Sequence, residues 1–275
     1  MIGQFLLTFR EVLEAALITS IILAYLARTD RKYLSGFVWL GVSLATALSL
    51  VLGLFVWLTY GALTHPTQIL FEGLAAILAV AVLTSMILWL ATKGREIRGD
   101  IETRVASLTR SRAKLALASF SFIIVFREGL ETVLFLTPFI ASDSSGTAIG
   151  ALLGLSASLA LSYVIFVVGM RIDLRRFFYF TSILLVLLAG GLAGYGVHEL
   201  IEYAELSGAY LGWFGEYAYE LPIPTDSFLH HRGLLGSVFA VVFGYSVSAE
   251  WGRLLFHFAY LAVVFPLVIR AYRKK

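Results

Sequence analysis

The chain has 275 residues, of which 59% are hydrophobic and 14% are charged. Soluble domains carry about 25% charged residues, so this composition excludes a soluble enzyme and predicts an integral membrane protein. The net charge of +3 does not indicate a nucleic-acid partner, because the basic residues cluster in particular loops. Cysteine is absent, which excludes thiolate metal ligands and leaves oxygen and imidazole.

Seven apolar stretches are long enough to cross a bilayer as helices, since one crossing needs about 20 residues. They run at 2–27, 34–60, 68–92, 115–141, 147–170, 176–197 and 252–271. A further apolar stretch at 233–247 is too short to cross comfortably. We predict that it forms a re-entrant or interfacial helix, and an eighth crossing is the alternative.

The basic residues lie in alternate connections. Of the 21 Lys and Arg residues, 17 fall on the side that holds the loops 28–33, 93–114 and 171–176 and the C-terminal tail. The opposite side is acidic, above all in the segment 198–251. Because cytoplasmic loops are enriched in Lys and Arg, we predict a multi-pass plasma-membrane protein with its N-terminus outside and its C-terminus in the cytoplasm.

One charged motif occurs twice within the predicted crossings. Residues 9–14 and 126–131 share the pattern Phe-Arg-Glu-x-Leu-Glu and lie 117 residues apart. Three crossings separate the copies, so the two motif helices run in opposite directions and the fold is predicted to contain two inverted repeats. The resulting organisation is a first three-helix repeat at 1–92, a basic cytoplasmic loop at 93–114, a second repeat at 115–197, an acidic outer segment at 198–251, and a seventh helix with a basic tail at 252–275.

In each copy, the arginine and both glutamates occupy one face of the helix, within about 100° of one another. Three ionised residues at the bilayer centre cost about 8–10 kcal/mol, and the apolar residues of the first crossing return only about 4–8 kcal/mol. We therefore expect the charged faces to turn inward and meet near the midplane, with each arginine making two hydrogen bonds to one carboxylate. The alternative is that Arg10 with Glu14, and Arg127 with Glu131, form ion pairs that only fix helix packing.

The candidate metal ligands are Glu11, Glu14, Glu128 and Glu131, and Arg10 and Arg127 are their supporting ion-pair partners. Four glutamates against two arginines leave a charge of −2, which balances a divalent cation. A trivalent ion would need a fifth carboxylate, for which Glu72 is the candidate. The alternative role for Glu72 is that of a glutamate at the membrane interface.

A second group of candidate ligands follows the sixth crossing. His198, Glu199 and Glu202 form part of a zinc-protease-like pattern, but the second histidine of that pattern is missing, so a metalloprotease is not indicated. On a helix that continues the sixth crossing, His198, Glu202 and Glu205 share one face. This face is a candidate for metal capture at the outer mouth, and an ordinary solvated acidic face is the alternative.

The duplicated Arg-Glu-x-Leu-Glu, the seven crossings and the run Gly196-Val197-His198-Glu199-Leu200 resemble the oxidase-dependent iron transporter family. This family includes fungal high-affinity ferric permeases and bacterial iron permeases. The resemblance implies iron uptake across the plasma membrane with the four motif glutamates as ligands. The chain departs from the commoner motif at Val12, where glycine is usual and where the second copy has Gly129.

The function predicted is that of an iron permease in which rocking or gating between the repeats releases the ion inward, and not that of an enzyme. Oxygen-rich sites suit Fe²⁺ and Fe³⁺ but also other cations, so transport of Mn or Pb is an alternative. A membrane metalloenzyme is another, although the Glu-x-x-His pairs of di-metal bundles are missing. A structural subunit is a third. The partners expected are iron ions and the lipid bilayer, with an oxidase, an extracytoplasmic iron-delivery protein and a homo-oligomer left open.

Overall fold

The computed structural model describes residues 1–93, 97–108, 113–166, 174–224, 227–229 and 234–273. Parts of the predicted basic loops, including Arg95, Arg110, Arg112 and Arg171, lie outside these ranges. The described helices are α1 (Ile2–Arg28), α2 (Ser35–Ala62), α3 (His65–Lys93), α4 (Ile97–Leu108), α5 (Ala113–Ser142), α6 (Ser144–Phe166), α7 (Leu174–Leu206), α8 (Leu234–Phe243) and α9 (Trp251–Arg273). The strands β1 (Tyr217–Glu220) and β2 (Ser248–Glu250) pair antiparallel.

Five of the described helices are long and apolar enough to cross a membrane. They correspond to α2, α3, α6, α7 and α9. The helices α1 and α5 are also long, with 27 and 30 residues, but each carries the three charged residues of a motif in its middle. An all-α membrane protein, as predicted from the composition, is therefore confirmed. The helix α8 has only 10 residues, which is too short for a crossing.

We call the side of the molecule that carries α4 the inner side, and the side that carries β1 and β2 the outer side, following the predicted orientation. The helix α4 lies within the stretch that the sequence suggested to be a basic loop. Ile101 and Val105 are buried against Ile22 and Leu26 of α1 and Leu117 of α5, and Glu102 pairs with Arg28 at 2.8 Å. An apolar pair four residues apart gives this segment one buried face, which stabilises a helix.

The two repeats are interleaved. The most extensive contacts between helices join α2 to α5, α3 to α7 and α1 to α6, and each of these pairs takes one helix from each repeat. The first helix of each repeat thus packs on the second helix of the other. The two motif helices, α1 and α5, also contact each other directly.

Glycines permit this close packing, and their environments repeat with the same spacing as the motif. A Cβ on Gly150 of α6 would meet Met1 O at 2.6 Å and Phe5 N at 3.3 Å, and a Cβ on Gly41 of α2 would meet Ala118 O and Phe122 N. Met1 and Ala118, like Phe5 and Phe122, are 117 residues apart. The ring stacking of Phe5 on Phe9 in α1 recurs with Phe122 on Phe126 in α5. These contacts relate the repeats through an approximate internal symmetry.

Candidate metal centre

Both motifs lie near the middle of their helices. Glu14 is the thirteenth of the 27 residues of α1, and Glu128 is the sixteenth of the 30 residues of α5. Leu26 near the end of α1 and Leu117 near the start of α5 share one buried cluster, so the two helices run antiparallel. Because α1 and α5 also contact each other, the charged faces meet at about half the length of both helices. The helix period alone places each set of carboxylates on one face.

Three of the motif glutamates converge. Glu11, Glu128 and Glu131 each offer a carboxylate oxygen, and these oxygens lie within 4.8 Å of one another. Glu11 and Glu128 are buried, and Glu131 is largely buried. The group therefore combines ligands from both helices in an interior with little access to water.

The two arginines differ in their surroundings. The guanidinium of Arg10 is 1% exposed and contacts Glu11 Oε1 through Nη1 and Glu14 Oε1 through Nη2, both at 2.8 Å. Its Nη1 also lies 2.8 Å from Met86 Sδ of α3. Each contact is to a different carboxylate, so the expected bidentate pair is not formed. Arg127 is 49% exposed, donates from Nε to Glu131 Oε1 at 2.7 Å and lies over the Trp89 ring.

Several carboxylate oxygens of the site remain without hydrogen-bond partners among the described residues. They are Glu11 Oε2, Glu128 Oε2 and Glu131 Oε2, all buried. Burying a charged oxygen without a partner is costly, and a metal ion is one way to offset that cost. Because the arginines engage Oε1 of Glu11 and Oε1 of Glu131, the motif can hold a cation on the Oε2 atoms and keep its ion pairs.

Glu14 and Glu72 lie outside the group of three converging glutamates. Glu14 is held by Arg10 and interacts electrostatically with Glu131. Both oxygens of Glu72 accept hydrogen bonds, one from Tyr60 Oη at 2.6 Å and one from the hydroxyl of Tyr195. The motif cluster does not include Glu72. Glu72 is buried, and its role as a fifth ligand stays a prediction.

The second candidate group is formed at the outer end of α7. His198, Glu199 and Glu202 bring ligand atoms within 4.8 Å of one another, and Glu205 is not part of this cluster. The ring of His198 is 3.0 Å from Glu250 Oε1 of β2 through Nδ1. On the inner side of the group, Glu199 is close to the Tyr195 hydroxyl that bonds Glu72.

Sequence reasoning missed Glu250 and Tyr195 as neighbours of this group. Glu250 is 52 residues from His198, and no local spacing signals such a contact. Burial raises the pKa of the Glu250 carboxyl, but the hydrogen bond from His198, with further help from Arg253, outweighs burial and holds that pKa below its ordinary value. The antiparallel pairing of β2 with β1 fixes Glu250 opposite Tyr217.

Several known proteins are similar to this chain over nearly all of its length. The chain is 43% identical over 272 residues to an uncharacterized protein of Archaeoglobus fulgidus, covering 99% of this chain and 96% of that one. It is 35% identical over 277 residues to the ferrous iron permease EfeU of Shigella sonnei, covering 98% and 97%, and 36% identical over 264 residues to EfeU of Yersinia pestis, covering 95% and 90%.

No solved structure matches the chain. The model of the iron permease FTR1 family matches residues 1–272, which is nearly the entire sequence. The full-length similarity and the whole-chain family match confirm the family resemblance seen in the sequence. The chain therefore belongs to the iron permease FTR1 family.

Proposed function

We propose that this protein carries Fe²⁺ inward across the plasma membrane through the cluster of Glu11, Glu128 and Glu131. The observation that carries the proposal is the set of three buried carboxylate oxygens, one on each of these residues, that lack hydrogen-bond partners among the described residues. Carboxylate oxygens suit iron. The charge of −2 on four glutamates and two arginines matches a divalent ion, in line with the ferrous permeases among the relatives.

The arginines bracket the carboxylates along the transport direction. Since α1 and α5 are antiparallel, Arg10 lies toward the outer side of the site and Arg127 toward the inner side. Arg10 is buried against Met86, whereas Arg127 is half-exposed beside Trp89, four residues before the inner end of α3. We assign the more open, Arg127 side as the exit, and the buried Arg10 as the outer closure of this conformation.

Glu14 serves as a transient ligand in this proposal. It is not in the converging group, but Arg10 holds it at 2.8 Å and it faces the charge of Glu131. A small rearrangement of Arg10 frees Glu14 for the ion, so the fourth glutamate can take over as the ion moves. Transport needs such exchange, because a site that binds too tightly does not release its ion.

The test is uptake of radioactive Fe²⁺ into proteoliposomes under anaerobic conditions. Loss of an outer-shell partner typically lowers metal affinity by about 10–100-fold, and loss of a ligand costs at least as much. We expect Glu131→Gln and Glu128→Gln to reduce uptake at low iron by about tenfold or more. The control is Glu216→Gln, which removes an exposed carboxylate on the outer side.

Undiminished uptake by both motif variants, with normal amounts of folded protein, would overturn the site. Competition decides the transported metal: a tenfold excess of Mn²⁺ or Pb²⁺ should leave most Fe²⁺ uptake intact. Stronger inhibition by Mn²⁺ than by unlabelled Fe²⁺ would favour a manganese transporter.

A further inference from the structure

The outer cluster at the end of α7 brings three possible metal ligands close together. His198, Glu199 and Glu202 place one nitrogen and two carboxylates together. His198 Nε2 lies 3.9 Å from Glu202 Oε2, within the about 4.2 Å that two ligands 2.1 Å from one ion can span. This mixture of ligands differs from the all-carboxylate group in the middle of the helices.

Glu250 fixes which nitrogen of His198 is available. A carboxylate can only accept hydrogen bonds, so its 3.0 Å contact with Nδ1 requires the proton to be on Nδ1. In the neutral ring, this leaves the lone pair on Nε2, which faces Glu202. Metal-binding histidines are commonly oriented in this way by a carboxylate on their other nitrogen.

The burial of Glu250 is a second, independent indication of a metal site at the outer cluster. Glu250 is 4% exposed, and its Oε2 has no hydrogen-bond partner among the described residues. Burying a carboxylate with one unpaired oxygen costs free energy. Orienting His198 for a metal ion would give this burial a role. An ordinary solvated acidic face would not bury the glutamate that orients its histidine.

The three ligands of the outer cluster differ in their exposure to solvent. The side chain of Glu202 is 45% exposed and that of His198 is 28% exposed, whereas Glu199 is buried. The exposed ligand faces the outer solution and the buried one lies next to the Tyr195–Glu72 pair. The arrangement can therefore receive an ion from solution and draw it toward the protein.

The outer cluster and the motif site are separate. Glu72 of α3 adjoins the outer cluster, and Met86 of the same helix contacts Arg10 of the motif. These residues are 14 positions apart, which corresponds to about 21 Å along a helix. One ion cannot use both sets of ligands at once.

We propose that His198, Glu199 and Glu202 form a second metal site that captures Fe²⁺ at the outer side, with Glu250 as the residue that positions His198. The ligand class is a divalent cation of intermediate hardness, such as Fe²⁺ or Co²⁺, because imidazole joins the carboxylates. The site does not depend on the motif glutamates for its assembly.

Equilibrium dialysis of the purified protein with Fe²⁺ under anaerobic conditions tests the site directly. We expect two ions per chain in the wild type and one in the double variant His198→Ala, Glu202→Gln. A combined Glu128→Gln, Glu131→Gln variant should also bind one ion. Adding His198→Ala and Glu202→Gln to this variant should abolish the binding of that ion. The control Glu220→Gln, an exposed strand residue, should retain two.

The outcomes separate the two proposals. If the outer variant still binds two ions, or the wild type binds only one and the motif change removes it, the outer site is wrong. If the motif variant still binds two ions, the proposed transport site fails while the outer site stands or falls on its own variants.

The positioning role of Glu250 has its own readout. Glu250→Ala should weaken Fe²⁺ binding at the outer site about 10–100-fold and change the visible absorption of Co²⁺ bound there. Glu250→Gln should recover much of the affinity, because the amide oxygen also accepts a hydrogen bond from Nδ1. Equal affinities for Glu250→Ala and the wild type would show that His198 needs no positioning by Glu250.

Discussion

Arg10 and Arg127 occupy the same place in the two copies of one motif, yet their environments differ. Arg10 is 1% exposed and neutralises two glutamates, whereas Arg127 is 49% exposed and pairs with one. Removing one partner of a buried ion pair leaves an uncompensated charge, which is far more costly than losing a half-exposed pair. The two arginines therefore contribute unequally to stability although the sequence treats them alike.

We expect Arg10→Met to destabilise the protein by about 3–5 kcal/mol, and Arg127→Met by less, because loss of Arg10 leaves two carboxylates without a partner and loss of Arg127 leaves one. Methionine keeps an unbranched apolar chain and removes the charge. Thermal unfolding in detergent, followed by size-exclusion chromatography, measures the difference. Equal losses of thermal stability in the two variants would contradict the asymmetry of the motif.

The first motif has Val12 where the second has Gly129, and the local packing explains this difference. A Cβ on Gly129 would collide with the side chain of Ser49 in α2. The spacing that relates Gly41 to Gly150 relates Ser49 to Ser158, whose hydroxyl donates to Phe9 O of α1. Ser49 instead donates to Ala45 O of its own helix. The two serines therefore face the motif helices differently, in agreement with glycine at 129 and valine at 12.

Among the helices, packing between repeats depends on where small residues lie rather than on how many there are. Gly41 and Gly61 both belong to α2. A Cβ on Gly41 would meet the backbone of α5, including Phe122 N at 2.9 Å, whereas nothing lies within 4 Å of one on Gly61. Backbone atoms cannot turn aside, so added volume at Gly41 must separate the helices.

We expect Gly41→Ala to destabilise the protein by about 1–3 kcal/mol through overpacking. Its matched control, Gly61→Ala, should be neutral or slightly stabilising, because alanine reduces the conformational entropy of the unfolded chain. The unfolding temperatures of the two variants in the same detergent give the comparison. A loss of stability in both would mean that α2 requires glycine for reasons other than contact with α5.

Across the whole molecule, the interleaving of repeats limits how the transporter can move. The pairs α1–α6 and α2–α5 each combine helices of both repeats, and the α1–α6 pair is further joined by a hydrogen bond from Gln4 Nε2 to Thr147 Oγ1 at 3.3 Å. Rocking of one repeat against the other, as the sequence suggested, would break these pairs. Motion between the pairs would preserve them.

Cross-linking distinguishes these motions, and the absence of cysteine makes the background clean. A cross-link between Gln4→Cys and Thr147→Cys ties α1 to α6 and should leave at least half of the Fe²⁺ uptake of the reduced protein. Reduction with dithiothreitol provides the internal control. Full inhibition that reduction reverses would support rocking of the repeats instead.

The sequence predicted the membrane class, the duplicated motif and the family because charges within apolar helices and an exact spacing are local signals. The sequence predicted that all four motif glutamates meet, and the structure groups Glu11, Glu128 and Glu131. The sequence could not predict the surroundings of Glu72 and Glu250, because their neighbours are distant in sequence. It also could not predict α4, because Ile101 and Val105 are two apolar residues within a basic stretch. The orientation, the oxidase, the delivery protein and the homo-oligomer stay predictions.

The interleaved packing also sets an order for biogenesis. During synthesis α1 emerges first with Arg10, Glu11 and Glu14, while its partner α6 begins at Ser144, 116 residues after α1 ends at Arg28. Until α5 and α6 arrive, three charges that cost about 8–10 kcal/mol in lipid have no charged partner outside α1. We therefore expect α1 to wait at the bilayer surface or in the insertion machinery, so that the chain completes its first crossing last.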